Sequence, residues 1–229
     1  MKSIKKTGRI VGLLFLFMIL TGATGTYLRG LSTSLMESEN FLSTVFENSM
    51  QMKVAILLDL IAGAIGVGIS IALFPVLKQF KKSIAFWYFA LWIIGFTITI
   101  ASNITHLSLL SLSQEFVNTG IPDTGYFKTL GALKVEEYYW AHFLILILYS
   151  LGSMVLYSAF LKTRLIPRIL AIWFIVSVGI VFTVSWLQIF DYSVSFMFYG
   201  QNGIHLIVLT LWLLVKGFNP KYMENIPTT

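Results

Sequence analysis

Six apolar stretches, each close to membrane-crossing length, alternate with short charged segments along the chain. They begin near Ile10, Lys53, Ser83, Tyr138, Ile169 and Phe196. A helix needs about 20 mostly apolar residues to cross the hydrocarbon core of a bilayer. The pattern therefore predicts an all-α, polytopic membrane helix bundle. Its six transmembrane spans cover about 10–28, 53–77, 83–110, 138–161, 169–190 and 196–216, and form a single domain over 1–229.

Smaller signals refine the spans. Gly8 and Gly12 have a small-xxx-small spacing at the start of span one, which lets helices approach closely. Phe41, Leu42, Val45, Phe46 and Met50 fall near helical spacing and predict a short interfacial helix within 40–52. In span two, Asp59, Ala62 or Gly63, Gly66 and Ser70 share one face, and Pro75 is expected to end or bend the helix. In span three the corresponding stripe is Gly95, Thr99, Ser102 or Asn103, and His106. The segment 111–137 reads as a loop containing the turn-forming string Gly120-Ile121-Pro122-Asp123, too polar for a seventh span.

Span six has two readings. Counting about 20 residues back from Lys216 reaches Phe196 and places Gly200-Gln201-Asn202-Gly203 inside the membrane, as a local break or a close helix contact. Alternatively the helix is short and starts at Gly203. Trp87, Tyr88, Tyr138, Tyr139 and Trp140 lie where span ends should meet headgroups, as in an aromatic belt. Residues 73–78 resemble 156–162, a weak sign of a parallel hairpin pseudo-repeat that sets Asp59 opposite His142 and Asn103 opposite Gln188.

Composition agrees with a membrane chain. Hydrophobic residues make up 57% and charged residues 11%, against about 25% charged in soluble domains. The net charge of +6 raises nucleic-acid binding, but its distribution favours topology. Twelve of the sixteen basic residues (Lys2, Lys5, Lys6, Arg9, Lys78, Lys81, Lys82, Lys162, Arg164, Arg168, Lys216 and Lys221) fall on one side, with only Glu224 against them. The other side has Arg29, Lys53, Lys128 and Lys134 against eight acids, Glu37, Glu39, Glu47, Glu115, Asp123, Glu136, Glu137 and Asp191. Short cytoplasmic loops collect Lys and Arg. Both termini are thus expected in the cytoplasm of a multi-pass cell-membrane protein, with the lipid bilayer rather than nucleic acid as its partner. The first 25 residues also imitate a signal peptide, whose removal leaves five spans. There is no cysteine, which excludes disulfides, thiolate metal sites and thiol catalysis.

The chemistry rests on the few polar side chains inside the spans: Asp59, Asn103, His106, His142, Gln188, Gln201, Asn202 and His205. An Asp at a helix centre costs about 2.5–3.5 kcal/mol on insertion scales, so such groups face the interior and find partners. Most lie in the half of the bundle away from the basic side. Three roles compete for them. They lock helices together through interhelical hydrogen bonds, or they line a polar pocket for a small molecule, lipid headgroup or proton. In the third, three histidines and Asp59 form a metal or acid–base site, though no His pair has the i, i+4 spacing of a zincin helix.

Several strings resemble an uncharacterised family of bacterial six-span membrane proteins known as a domain of unknown function. They are Lys5-Lys6-Thr7-Gly8-Arg9-Ile10-Val11-Gly12-Leu13-Leu14 with Leu20-Thr21-Gly22, Leu58-Asp59-Leu60-Ile61, and Ala72-Leu73-Phe74-Pro75-Val76-Leu77-Lys78. Three further matches are His142, Leu165-Ile166-Pro167-Arg168-Ile169-Leu170, and Leu211-Trp212-Leu213-Leu214-Val215-Lys216-Gly217. The resemblance implies six spans and draws attention to Asp59 and His142. It implies no activity, substrate or cofactor. It also favours an acidic residue near position 205, where this chain has His205, and so weakens a three-histidine metal site. The expected function is a binding or transport-like module with a ligand site around Asp59, Asn103, His106, His142 and His205. The alternatives are an intramembrane metal-dependent hydrolase acting on a lipid-like substrate, and a structural helper protein.

Overall fold

The computed structural model describes residues 2–33, 38, 40–119, 124–195 and 197–220. The turn string at 120–123, the acids Glu37, Glu39 and Glu224, Lys221 and the proposed span start at Phe196 lie outside the described residues. The elements are α1 (Lys2–Thr33), α2 (Phe41–Glu47), α3 (Ser49–Phe80), α4 (Lys82–Thr119), α5 (Thr124–Thr163), α6 (Arg168–Ile189) and α7 (Met197–Val215). All but α2 are long and apolar enough to cross a membrane, which gives an all-α bundle with six candidate spans.

The six long helices pack in chain order, and α7 returns against α1 to close the ring. Glycines set the closest approaches. A Cβ on Gly8 would lie 2.4 Å from the Phe218 backbone nitrogen, and one on Gly12 would lie 2.9 Å from Leu213 Cβ. The small-residue spacing at the start of the chain therefore joins α1 to α7 and the segment after it. Gly63 and Gly66 do the same for α3 and α4: a Cβ at Gly66 would lie 2.0 Å from the Trp92 ring, and one at Gly63 2.4 Å from the Phe96 ring. The main core, around Leu73, Tyr88, Tyr157, Phe160, Phe174 and Leu213, fills the ring toward its basic end.

Several expectations are corrected. The helices outrun the apolar stretches. At 1.5 Å per residue α4 and α5 reach about 57 and 60 Å, against a hydrocarbon core of about 30 Å. Most of the expected 111–137 loop is thus helical, because polar sequence beyond the bilayer continues the turns begun inside it. The short helix expected within 40–52 is only α2. It buries Phe41, Leu42 and Val45 against the bundle. With Met52, Ile56, Leu109, Leu110 and Val135 they form a second core at the end opposite the basic one. Gly131 of α5 leaves room for α2, since its Cβ would lie 2.9 Å from Leu42 and 3.0 Å from Phe41. Pro75 does not end α3, which continues to Phe80. Tyr88 is fully buried, so it does not belong to a belt, whereas Trp87 is exposed. α7 runs unbroken from Met197 through Gly200-Gln201-Asn202-Gly203, and a Cβ on either glycine would meet nothing within 4 Å. The longer reading of span six holds, without a break or a close contact there.

Candidate functional site

The polar side chains inside the bundle form two networks. The first joins α1, α3, α4 and α5. Asp59 of α3 pairs with the guanidinium of Arg29, near the end of α1. Gly25, one turn earlier on α1, opens space for that carboxylate: a Cβ there would lie 3.3 Å from Asp59 Oδ1. Arg29 Nε donates to His106 Nδ1 at 3.2 Å, and the guanidinium carbon lies 4.5 Å from the centre of the Tyr138 ring. Tyr138 stacks with two histidines, His106 at 4.1 Å and His142 at 6.1 Å between centroids. Asn103 Nδ2 donates to Thr99 O at 2.9 Å and to Asp59 Oδ2 at a longer 3.4 Å.

Arginine has no acceptor and stays charged, so its bond to His106 Nδ1 fixes that ring as neutral with the proton on Nε2. The Arg29–Asp59 pair cancels its own charge. In this network two buried atoms are left without a hydrogen-bond partner, the His106 Nε2 donor and the Asn103 Oδ1 acceptor; among the described residues the hydroxyls of Ser38, Ser150 and Thr210 are the others. The first two sit one helical turn apart on α4. Leaving such a group unpaired costs about 1–3 kcal/mol, so most buried polar atoms have partners.

The second network joins α5, α6 and α7 and is centred on His205. Ser177 Oγ donates to Gln201 Oε1, so it accepts from His205 Nδ1 at 2.8 Å. His205 Nε2 must then accept from the Tyr157 hydroxyl at 3.0 Å. Gln201 Nε2 completes the chain by donating to the carbonyls of Ser177 at 3.0 Å and Phe198 at 3.2 Å. Each group from Tyr157 to Gln201 has a partner of the right kind, with no formal charge. Nearby, the Tyr149 hydroxyl donates to Asn202 Oδ1 at 3.2 Å. A cavity of about 50 Å³ lies between α3, α4 and α5, lined in part by Gly63, Thr99 and Tyr149. It is room for about one or two waters between the two networks.

The expected site is therefore divided. Asp59, Asn103, His106 and His142 gather around Arg29 and Tyr138, while both ring nitrogens of His205 are taken up in the other network. Gln188 belongs to neither, because its amide donates to Val194 O at 3.1 Å in the turn after α6. Among the described residues no group of three or more His, Asp or Glu side chains could hold a metal ion. The three histidines and Asp59 thus do not assemble into the metal site considered from sequence.

A family described as a domain of unknown function, DUF4386, matches residues 10–217. The chain belongs to the DUF4386 family. No curated protein and no solved structure matches it. Within this DUF4386 chain, sequence reasoning missed Arg29 and Tyr138. Arg29 carried a signal, as one of few bases on the acidic side, close to the end of span one, while Asp59 lacked a counter-ion. Tyr138 carried none, since its position fits an aromatic belt equally well.

Proposed function

We propose that this DUF4386 protein binds a small, uncharged polar group, from a free molecule or a lipid headgroup, in the half of the bundle away from the basic end. The site lies among α1, α3, α4 and α5 and comprises Arg29, Asp59, Asn103, His106, Tyr138 and His142. The observation that carries this reading is the unpaired donor on His106 beside the unpaired acceptor on Asn103. A hydroxyl or amide satisfies both kinds of atom. An ion does not, because Arg29 and Asp59 already neutralise each other. The ion pair then serves to hold the His106 ring and the Asn103 amide in place. His205 takes the helix-locking role, since its network is complete. The charge bias further supports both termini lying in the cytoplasm, with the proposed site in the outer half.

Native mass spectrometry of protein extracted in mild detergent tests the binding reading. The wild type should carry a small adduct, retained by Ser177→Ala and lost by both Asn103→Leu and His106→Phe. Losing one bond to a buried donor or acceptor costs roughly 1–3 kcal/mol, or about 5- to 150-fold in affinity. A wild-type spectrum free of adducts and indistinguishable from those of the two variants would contradict the proposal.

A further inference from the structure

Toward the basic end, the interior beside the two unpaired atoms turns from polar to apolar. Asn103 is tied to the preceding turn of α4 by its bond to Thr99 O at 2.9 Å. Thr99 lines the cavity of about 50 Å³ between α3, α4 and α5. Along α4 in this direction, His106 thus offers a donor, Asn103 an acceptor one turn on, and Thr99 opens on the cavity after one turn more. We propose that the site takes a short aliphatic primary amide, whose tail of about two carbons sits in this cavity. The proposal rests on the binding of an uncharged polar group at His106 and Asn103, and adds the class of ligand.

The cavity is shaped by glycine. Gly63, Gly95 and Gly152 line it, one from each of the three helices. A Cβ at Gly95 would meet nothing within 4 Å, and one at Gly152 would come no closer than 3.7 Å to a neighbour. The Trp92 ring lies against Gly66 and the Phe96 ring against Gly63, which leaves the space beside Gly95 unfilled. Water is a poor occupant. A buried water needs two to four polar partners, whereas apolar cavities stay dry and accept apolar guests. Apart from two hydroxyls, the lining side chains are aliphatic or aromatic. Both hydroxyl protons are already engaged, Thr99 donating to Gly95 O at 3.0 Å and Tyr149 to Asn202 Oδ1 at 3.2 Å.

The two unpaired atoms select the headgroup. His106 and Asn103 are 0% and 2% exposed, so a ligand rather than bulk water must satisfy them. Residues three apart on a helix have Cβ atoms about 5–6 Å from each other. A primary amide carries its acceptor and its donors on separate atoms and spans such a pair, whereas one hydroxyl oxygen would have to reach both. The volume then limits the tail. A methylene needs about the room of a water, so about two carbons fit before the chain meets the walls.

The test uses the full-length protein in mild detergent with the primary amides from formamide to hexanamide. Apparent affinities are read from the rise of the thermal midpoint with ligand concentration. For the wild type, affinity should rise about fourfold per carbon through acetamide to propanamide, and stop rising at butanamide. Ethanol, the same tail on a hydroxyl, should bind more weakly than propanamide. Gly95→Ala adds a methyl to the open space and favours the helix, so its rise should end one carbon earlier, at acetamide. Should that variant fail to fold, Gly152→Ala reads the same shift from the α5 wall. Gly203→Ala, the same exchange away from the cavity, should keep the wild-type profile. A rise that continues to hexanamide, or one unchanged in Gly95→Ala, overturns the cavity as the seat of the tail and leaves the polar contact standing. Ethanol bound as tightly as propanamide overturns the amide. No binding of any amide overturns the proposal, and binding that Asn103→Leu leaves unchanged contradicts the underlying site as well.

Discussion

Two buried histidines in this bundle have opposite surroundings. His205 sits in a neutral chain in which each donor from Tyr157 to Gln201 meets an acceptor. His106 sits beside a partly buried ion pair, with one ring nitrogen engaged by Arg29 and the other unpaired. A finished network lowers the energy of the protein on its own. An unfinished one carries a cost that a bound polar group removes. The contrast teaches that polar residues in a membrane bundle are sorted by what they leave unpaired rather than by residue type.

The largest expected effect breaks the charged network. Arg29→Ala leaves the partly buried Asp59 carboxylate without this counter-ion and should destabilise the protein by up to about 3–5 kcal/mol in detergent unfolding, the figure for a fully buried pair. Removing both charges, as Arg29→Met with Asp59→Leu, should recover most of that loss. A double variant no more stable than Arg29→Ala would show that the pair contributes more than charge balance. In the neutral network, His205→Leu leaves the Tyr157 and Ser177 hydroxyls short of partners and should cost about 1–3 kcal/mol by the same assay. Ser177→Ala should cost less, because interhelical hydrogen bonds in membranes average about 0.6 kcal/mol. Tyr138→Leu removes the ring that Arg29 covers and that stacks with the two histidines. A cation–π contact is worth about 0.5–2 kcal/mol, and the variant should lose that much while leaving the His205 network intact. The smallest effect is at Gly203, which flanks the neutral network but faces open space. Gly203→Ala should be neutral or stabilising by up to about 1 kcal/mol. A clear loss there would mean that α7 needs close contact at this point.

Much of the fold was legible because the bilayer imposes it. Apolar runs of spanning length specify helices, and counting back from Lys216 located α7 through its amides. The ends were less legible, because outside the bilayer hydropathy no longer marks a helix: α4 and α5 continue through sequence that reads as loop. α2 was visible as a helix but not as part of a core, since an apolar face is the same whether it meets lipid or protein. The site was half legible. Asp59, Asn103, His106 and His142 stand out as polar exceptions in apolar helices, but the angular order of the helices decides which exceptions meet. That order placed His205 with α5 and α6, and brought in Arg29 and Tyr138 from positions that resemble ordinary span ends.

The absence of cysteine from the sequence permits a direct measurement of the central contrast. Asn103→Cys and Ser177→Cys each place a single thiol, one in the unfinished network and one in the complete network. Intact cells are exposed to a small, membrane-impermeant methanethiosulfonate reagent, which reacts with thiols in contact with water. Position 103 should react at least ten times faster than position 177, and a ligand bound at the site should slow it. Equal, negligible reaction at both positions would show that the two networks are alike closed packing, and would contradict the binding site.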